Sequence, residues 1–311
     1  MRVLVTCPNM LNLMDEFYPV FAEKGLEGVA ATVVQTLSED ELIKMLPDFD
    51  GWIIGDDPAT RRVFEAGKSG KLKAAVKWGV GIDNVDFDAC EELGIPVSNT
   101  PGVFGREVAD VAIAYTIGLA RNLFVMDRKI RTENQWLKPG GISTWNKRAG
   151  VVGFGDIGRQ SCKRLAALDM EIVAYDPYFK SADFVDVEHL PWPEGLNELD
   201  FLIFTCPLNE YTRHMFNRGI LPQLKPGVRV INVGRGPVIE EAALVEGLEA
   251  GIVASAALDV FEVEPLPANS RLRDFDQCIF GSHSGSNTVD ASRHVSLLTI
   301  DMIEDFLKKH V

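Results

Sequence analysis

The sequence predicts an α/β protein of two domains, each built on a parallel sheet. Three observations predict it. Short apolar runs alternate with helical patterns along almost the whole chain, the rhythm of β-α-β units. A length of 311 residues makes two cores the default. A glycine turn with the spacing G-x-G-x-x-G (Gly153, Gly155, Gly158) begins near mid-chain, so the residues before it must form a unit of their own.

Taken in order, Val3-Leu4-Val5 is a strand, as is the run Ala30 to Val34. Ser38 opens a helix, SEDELIKML, with Glu41 placed to complete a capping box. Trp52-Ile53-Ile54 is a buried strand that leads into the polar loop Gly55-Asp56-Asp57-Pro58. Lys73 to Val76 is a strand, Phe87 to Leu93 a helix, and Pro96-Val97-Ser98 a short strand. Asn99-Thr100-Pro101-Gly102 is turn chemistry and marks a boundary. Glu107 to Asn122 is a helix that is apolar on most sides. Such a helix is either an interdomain or subunit contact or a buried core helix. Trp136 to Arg148 is irregular.

The central unit comes next. Val151-Val152 is a strand, the glycine turn opens a helix with Ile157, Leu165, Ala166 and Leu168 on one face, and Ile172 to Tyr175 is a strand ending at Asp176. Beyond it come strands at Leu199 to Thr205, Val228 to Val233, Ser255 to Val260 and Cys278 to Gly281. Helices are expected at Met215 to Leu221 and Glu240 to Ala250, with an amphipathic one at Asp290 to Lys309.

The glycine turn carries specific chemistry. The first glycine permits a tight turn, the second lets backbone approach a pyrophosphate, and the third lets helix pack on strand. The helix start, with Asp156 and Ile157, offers unpaired N–H groups to phosphate. Asp176 stands 18 residues after Gly158, where a carboxylate can accept from ribose hydroxyls. Strand, turn, helix, strand and acid together read as a Rossmann-type dinucleotide site. Asp176 would repel a 2′-phosphate, which points to NAD; Lys180 is the nearby cation.

Bulk properties narrow the classes. A net charge of −14 argues against nucleic acid or an anionic membrane as partner. Cys7, Cys90, Cys162, Cys206 and Cys278 are scattered and odd in number, so they read as reduced thiols of a cytoplasmic protein with no metal site. The apolar run at the N-terminus is too short for a signal peptide, and none reaches membrane-spanning length.

Ligands of open α/β sheets bind beyond the carboxyl ends of the strands. The polar residues there are Asp176, Thr205-Cys206-Pro207, Arg235, Asp259, Glu264 and His283. A guanidinium at Arg235 suits a carboxylate with a neighbouring oxygen, because it forks and stays charged. His283 can exchange a proton near neutral pH, and Glu264 would favour its charged form.

Asn232-Val233-Gly234-Arg235-Gly236, the run Ala257 to Pro267 and Gly281-Ser282-His283 resemble the D-isomer-specific 2-hydroxyacid dehydrogenase family. Lys77 to Asp86 and Asn99 to Gly102 resemble its first-domain motifs. The resemblance implies a Rossmann-type doubly wound domain, 101–286, inserted into a smaller flavodoxin-like substrate domain, 1–100 and 287–311. It implies an NAD-dependent enzyme that moves a hydride between nicotinamide C4 and a D-2-hydroxy or 2-oxo acid. His283 is then the acid/base paired to Glu264, and Arg235 holds the substrate carboxylate with backbone N–H groups of Val80 and Gly81. Cofactor contacts are expected from Gly153, Gly155, Asp156, Ile157, Gly158, Asp176, Thr205, Cys206, Pro207, Val233, Gly234, Asp259 and His283, with Asp259 on the nicotinamide carboxamide.

The chain departs from the family at two places. Asn146-Lys147-Arg148-Ala149 replaces the usual residues before the glycine turn. Gly55-Asp56-Asp57 carries two acids where the phosphoglycerate dehydrogenase branch has an arginine; Arg61, Arg62, Lys77 and Arg106 are the cations near enough to serve a phosphate instead. The match is to the phosphoglycerate dehydrogenase-like branch without its regulatory domain, and the substrate stays open between 3-phosphoglycerate and hydroxypyruvate or glyoxylate. A homodimer is expected. The alternative function is an NAD(H)-sensing, corepressor-like binding protein. A formate or phosphite oxidoreductase is disfavoured, because formate dehydrogenases of the family have glutamine where Glu264 stands.

Overall fold

The computed structural model describes residues 1–33 and 35–309. Val34, at the end of the expected run Ala30 to Val34, and His310 and Val311, at the end of the segment 287–311, lie outside the described residues. The chain divides into two compact units, Met1–Phe104 with Asn287–Val311, and Gly105–Ser286. The division falls four residues beyond the expected boundary after residue 100, because the turn Asn99 to Gly102 stays with the first unit: Thr100 N–H donates to Gly79 O and the Thr100 hydroxyl accepts from Gly79 N–H.

In the first unit the elements run β1 (Arg2–Val5), α1 (Pro8–Leu11), α2 (Met14–Glu23), β2 (Glu27–Ala30), α3 (Glu39–Met45), β3 (Gly51–Ile54), α4 (Arg61–Ser69), β4 (Ala74–Lys77), α5 (Phe87–Leu93) and β5 (Val97–Ser98). Five parallel strands lie in the order β2-β1-β3-β4-β5. This is the flavodoxin-like order, whose ligand crevice lies at the β1/β3 switch point. The second strand ends at Ala30, where the expected run begins; its register is set by pairing from Arg2↔Glu27 to Val5↔Ala30. Side chains alternate between faces. Leu4, Trp52, Ile54 and Ala75 pack with Leu42, Leu46 and Phe64 of the helices on one face. Gly51 admits Ile303 and Leu307 of the C-terminal helix on the other. Ser38 caps α3 with Glu41 in a full capping box.

The second unit contains α6 (Gly105–Arg121), α7 (Leu123–Glu133), β6 (Arg148–Val152), α8 (Asp156–Ala166), β7 (Glu171–Tyr175), β8 (Glu188–His189), β9 (Phe201–Phe204), β10 (Val228–Asn232), α9 (Glu241–Glu249), β11 (Val253–Leu258) and β12 (Ile279–Phe280); α10 (Val289–Lys309) then returns to the first unit. Seven parallel strands lie in the order β12-β11-β10-β9-β6-β7-β8. The order reverses between β6 and β9, which makes that pair the topological switch point of a doubly wound sheet.

Two further expectations differ, and one pair of alternatives is decided. The helix expected over 215–221 does not form: Phe216 bridges to Ile239, the Asn217 side chain binds both His214 O and Gly219 N–H, and Leu221–Gln223 makes a single 3-10 turn. Local side-chain bonds of this kind outcompete helix. The buried face of α8 is Gly158, Ser161, Cys162 and Leu165. The apolar helix at Glu107 is α6, a core helix with Ala109, Ala112, Tyr115, Thr116 and Leu119 buried, and it packs on α8. It stops at Asn122, which takes a left-handed conformation (φ 55°) and starts α7. Among the described residues no single helix is long and apolar enough to cross a membrane; α6 and α7 reach that length only together, across a 69° bend.

Candidate active site

The second unit assembles its candidate residues at the carboxyl ends of β6, β7, β9, β10, β11 and β12. At the switch point the three glycines fill three different roles. Gly153 has φ +94°, and a Cβ there would meet the backbone of Cys206 at 2.8 Å. A Cβ on Gly155 would meet nothing within 4 Å, so open space lies over the second glycine, where a pyrophosphate needs it. A Cβ on Gly158 would lie 2.0 Å from Gly153 O, so helix and turn are in contact. Gly155 is also the N-cap of α8 and has no side chain to cap Asp156, Ile157 and Gly158, which leaves their N–H groups for an anion. These residues fit a dinucleotide.

Asp176 ends β7. Its Oδ2 accepts from Phe154 N–H at 2.6 Å and its Oδ1 from Tyr178 N–H at 2.7 Å, which aims the carboxylate beside the glycine turn. A carboxylate has further lone pairs for ribose hydroxyls. An aromatic group unforeseen from sequence flanks it: Phe154 contacts Phe179 (4.8 Å) and Phe184 (6.3 Å), Phe179 stacks on His189 (4.6 Å), and Arg159 lies 4.7 Å over Phe184. Phe154 within the glycine turn was the one signal for it.

The Thr205 hydroxyl donates to Gly153 O at 2.8 Å, tying the loop after β9 to the glycine turn. Cys206 packs against Gly153 and Gly234. Burial pushes its thiol up to about 12, so it is a packing residue and no nucleophile. Pro207 is exposed beside it, and Val233 is buried.

After β10, buried Asn232 shapes the turn that carries Arg235. Its Oδ1 accepts from Gly234 N–H (3.0 Å) and its Nδ2 donates to Arg235 O (2.9 Å). The next residue, Gly236, lies against the following strand's loop: a Cβ there would sit 1.7 Å from Phe261 O. This contact sets the Arg235 turn against the loop bearing Glu264.

Glu264 and His283 meet. Glu264 Oε1 accepts from Phe261 N–H at 3.0 Å, and Oε2 lies 2.8 Å from His283 Nδ1. His283 takes a left-handed conformation (φ 55°), uncommon for a residue with a side chain. Asp259 maintains it. The Asp259 carboxylate is 2% exposed and accepts from Ser284 N–H (3.2 Å) and Gly285 N–H (2.8 Å), while Asp259 O accepts from His283 N–H (2.7 Å). The Tyr115 hydroxyl of α6 also lies against Asp259; burial first, then that carboxylate, raise its pKa. Sequence reasoning missed Tyr115 and the part played by Asn232, because each acts through a tertiary contact.

In the first unit, taken by itself, Val80 is exposed and its carbonyl accepts from Asn99 Nδ2 at 2.8 Å; Gly79 holds φ +121°. Asp57 is buried and serves the loop: it accepts from the Thr6 hydroxyl and from Leu37 N–H (2.8 Å). Lys77 is 3% exposed and donates to Gly55 O (2.7 Å), Asp56 (3.0 Å) and Trp78 O (3.2 Å).

Fold and glycine-turn geometry define a dinucleotide-binding protein of the doubly wound α/β class. Residues 113–285 match the model of the D-isomer specific 2-hydroxyacid dehydrogenase NAD binding domain, and the chain belongs to that family. It is 36% identical over 278 residues to a hydroxypyruvate reductase of Thermotoga maritima, covering 88% of this chain and 89% of that one. It is 37% identical over 277 residues to the chloroplastic D-3-phosphoglycerate dehydrogenase 2 of Arabidopsis thaliana, covering 88% of this chain but 44% of that one. Among solved structures it resembles the TT0316 protein of Thermus thermophilus, with a TM-score of 0.88 and 28% identity over 99% and 97% of the two chains.

Proposed function

We propose that the protein interconverts a short, unphosphorylated 2-oxo acid and its D-2-hydroxy acid, as a cytoplasmic homodimer. The observation that carries the chemistry is the 2.8 Å contact of His283 Nδ1 with Glu264. It orients the ring so that Nε2 is the nitrogen that exchanges a proton with the substrate oxygen. Arg235 forks onto the substrate carboxylate; the N–H groups of Val80 and Gly81 are the first unit's candidates for the same role, as the family resemblance implies. NADH, when bound, supplies the hydride. Gly153, Gly155, Asp156, Ile157 and Gly158 would hold its pyrophosphate and Asp176 its ribose, with Thr205, Cys206, Pro207, Val233, Gly234 and Asp259 around the rest.

The cations of the first unit support an unphosphorylated substrate. Arg61 pairs with Glu92, Arg62 with Glu39, and Lys77 is buried on Asp56 and two carbonyls. A phosphate held by any of these three would have to break one of the pairs, which leaves Arg106, exposed at the start of α6, as the other candidate cation. The expected reading through 3-phosphoglycerate is therefore weaker than hydroxypyruvate or glyoxylate. For the dimer, the supporting surface is α7 with the segment between α7 and β6: Leu123, Phe124, Ile130, Trp136 and Trp145 are exposed apolar side chains.

The test is NADH oxidation with hydroxypyruvate, glyoxylate, pyruvate and 3-phosphohydroxypyruvate. Turnover is expected with an unphosphorylated acid, and His283→Ala should lower kcat by about 10²-fold or more. Tight NADH binding without turnover of any acid would instead favour the corepressor-like alternative.

A further inference from the structure

We infer that His214 and Glu262 form a clasp that positions Glu264, and through it His283; the inference rests on the dehydrogenase reading above. His214 stands in the loop after β9, and its own backbone is held: His214 N–H donates to Pro237 O (2.8 Å), and His214 O accepts from Asn217 Nδ2 (2.8 Å). Its backbone is left-handed (φ 51°). Nε2 lies 2.6 Å from Glu262 Oε1. The other oxygen of Glu262 accepts from Glu241 N–H at the start of α9 (3.0 Å), and Glu262 N–H donates back to Glu241 Oε1 (2.9 Å). Glu262 is thus bonded to the loop after β9 and to the first turn of α9 at once.

Glu262 sits between the two anchor points of the catalytic carboxylate. Phe261, one residue before, gives its N–H to Glu264 Oε1, and its carbonyl is the atom pressed on Gly236. Glu264 lies two residues later and reaches His283. Beside the Phe261 contact with Gly236, the loop 261–264 is anchored on its other side through Glu262. The pair is 42% and 28% exposed in its side chains, and ion pairs so exposed contribute little to stability. What this pair supplies is position. A displacement of the order of 1 Å in a catalytic group costs about 10²-fold in rate, so loss of the clasp should appear in turnover before it appears in melting.

The experiment compares Glu262→Ala, Glu262→Gln and His214→Ala with wild type. Measured quantities are kcat and KM for the best 2-oxo acid, the NADH dissociation constant, and the melting temperature. Glutamine keeps an acceptor for Glu241 N–H and offers an amide donor to His214 Nε2, which accepts it in the Nδ1–H tautomer. Glu262→Ala should lower kcat about tenfold or more, with NADH affinity and melting nearly unchanged, and Glu262→Gln should restore most of it. His214→Ala should fall between. A kcat within twofold of wild type in Glu262→Ala, or no rescue by glutamine, overturns the clasp. The imidazole 15N resonances of His283 give a readout independent of turnover: they should change in Glu262→Ala and return in Glu262→Gln. If wild type turns over no 2-oxo acid, the dehydrogenase reading fails, and the resonances still decide the clasp: movement in Glu262→Ala supports it and unmoved resonances overturn it.

Discussion

Gly236→Ala is the sharpest single perturbation of the site. The added Cβ would stand 1.7 Å from Phe261 O, 1.9 Å from its carbonyl carbon and 2.6 Å from Glu262 N. These are backbone atoms, so no side chain can swing aside. To reach an acceptable contact of 3.0 Å the two loops must part by at least 1.3 Å. One of them carries Arg235 and the other Glu264, so the groups we propose to bind the substrate carboxylate and to orient His283 move apart by that distance. Misplacement on this scale costs about 10²-fold in kcat/KM, and overpacking costs about 1–3 kcal/mol of stability. The glycine turn at Gly153 to Gly158 is untouched, so NADH affinity should hold. The assay is steady-state NADH oxidation beside NADH fluorescence titration and thermal melting. A variant that melts as wild type and keeps kcat/KM within twofold would refute the argument that contact between these loops sets the site.

Asp176→Ser should raise the preference for NADPH relative to NADH about tenfold, measured as a ratio of kcat/KM, because it removes the charge that repels a 2′-phosphate. An unchanged ratio would refute the role assigned to the Asp176 charge. Asp259→Asn replaces one of two acceptors with a donor facing Ser284 or Gly285 N–H; it should cost about 1–3 kcal/mol in chemical denaturation and lower kcat through the His283 turn. Lys24 first, then Lys308, hold the Glu304 carboxyl below its ordinary 4.5. A depressed carboxyl contributes stability above its unfolded pKa and loses it as pH falls through the folded one. The stability gap between wild type and Glu304→Gln should therefore shrink as pH drops below 4.5; a pH-independent gap would sink this account.

Much of the fold was legible because parallel strands buried on both faces read as short apolar runs. Val3 to Val5, Trp52 to Ile54 and Ile172 to Tyr175 needed no tertiary information. Ser38 with Glu41 was equally plain, since a capping box is closed by neighbours in sequence. Helices α2, α4 and α7 were not. α7 has no buried residue within its own chain, so no burial pattern announced it. The break at Asn122 that separates it from α6 is a backbone conformation and not a composition.

By itself the sequence determined the family of the protein: the spacing of Gly153, Gly155, Gly158 and Asp176 reads as a dinucleotide site, and the motifs around Arg235, Glu264 and His283 carry the family resemblance, while the roles of those three residues are proposals. These are readable because each motif is local, with its geometry set by a few consecutive residues. Only the tertiary structure decided how the motifs join. That Gly236 presses on Phe261, that Asp259 holds His283 in a left-handed turn, and that His214 reaches Glu262 all depend on strands far apart in sequence lying side by side. It also decided that Arg61, Arg62 and Lys77 are engaged, which a count of cations near a loop could not show. Pairing between charges is a property of distance in space, and spacing along the chain carries no record of it.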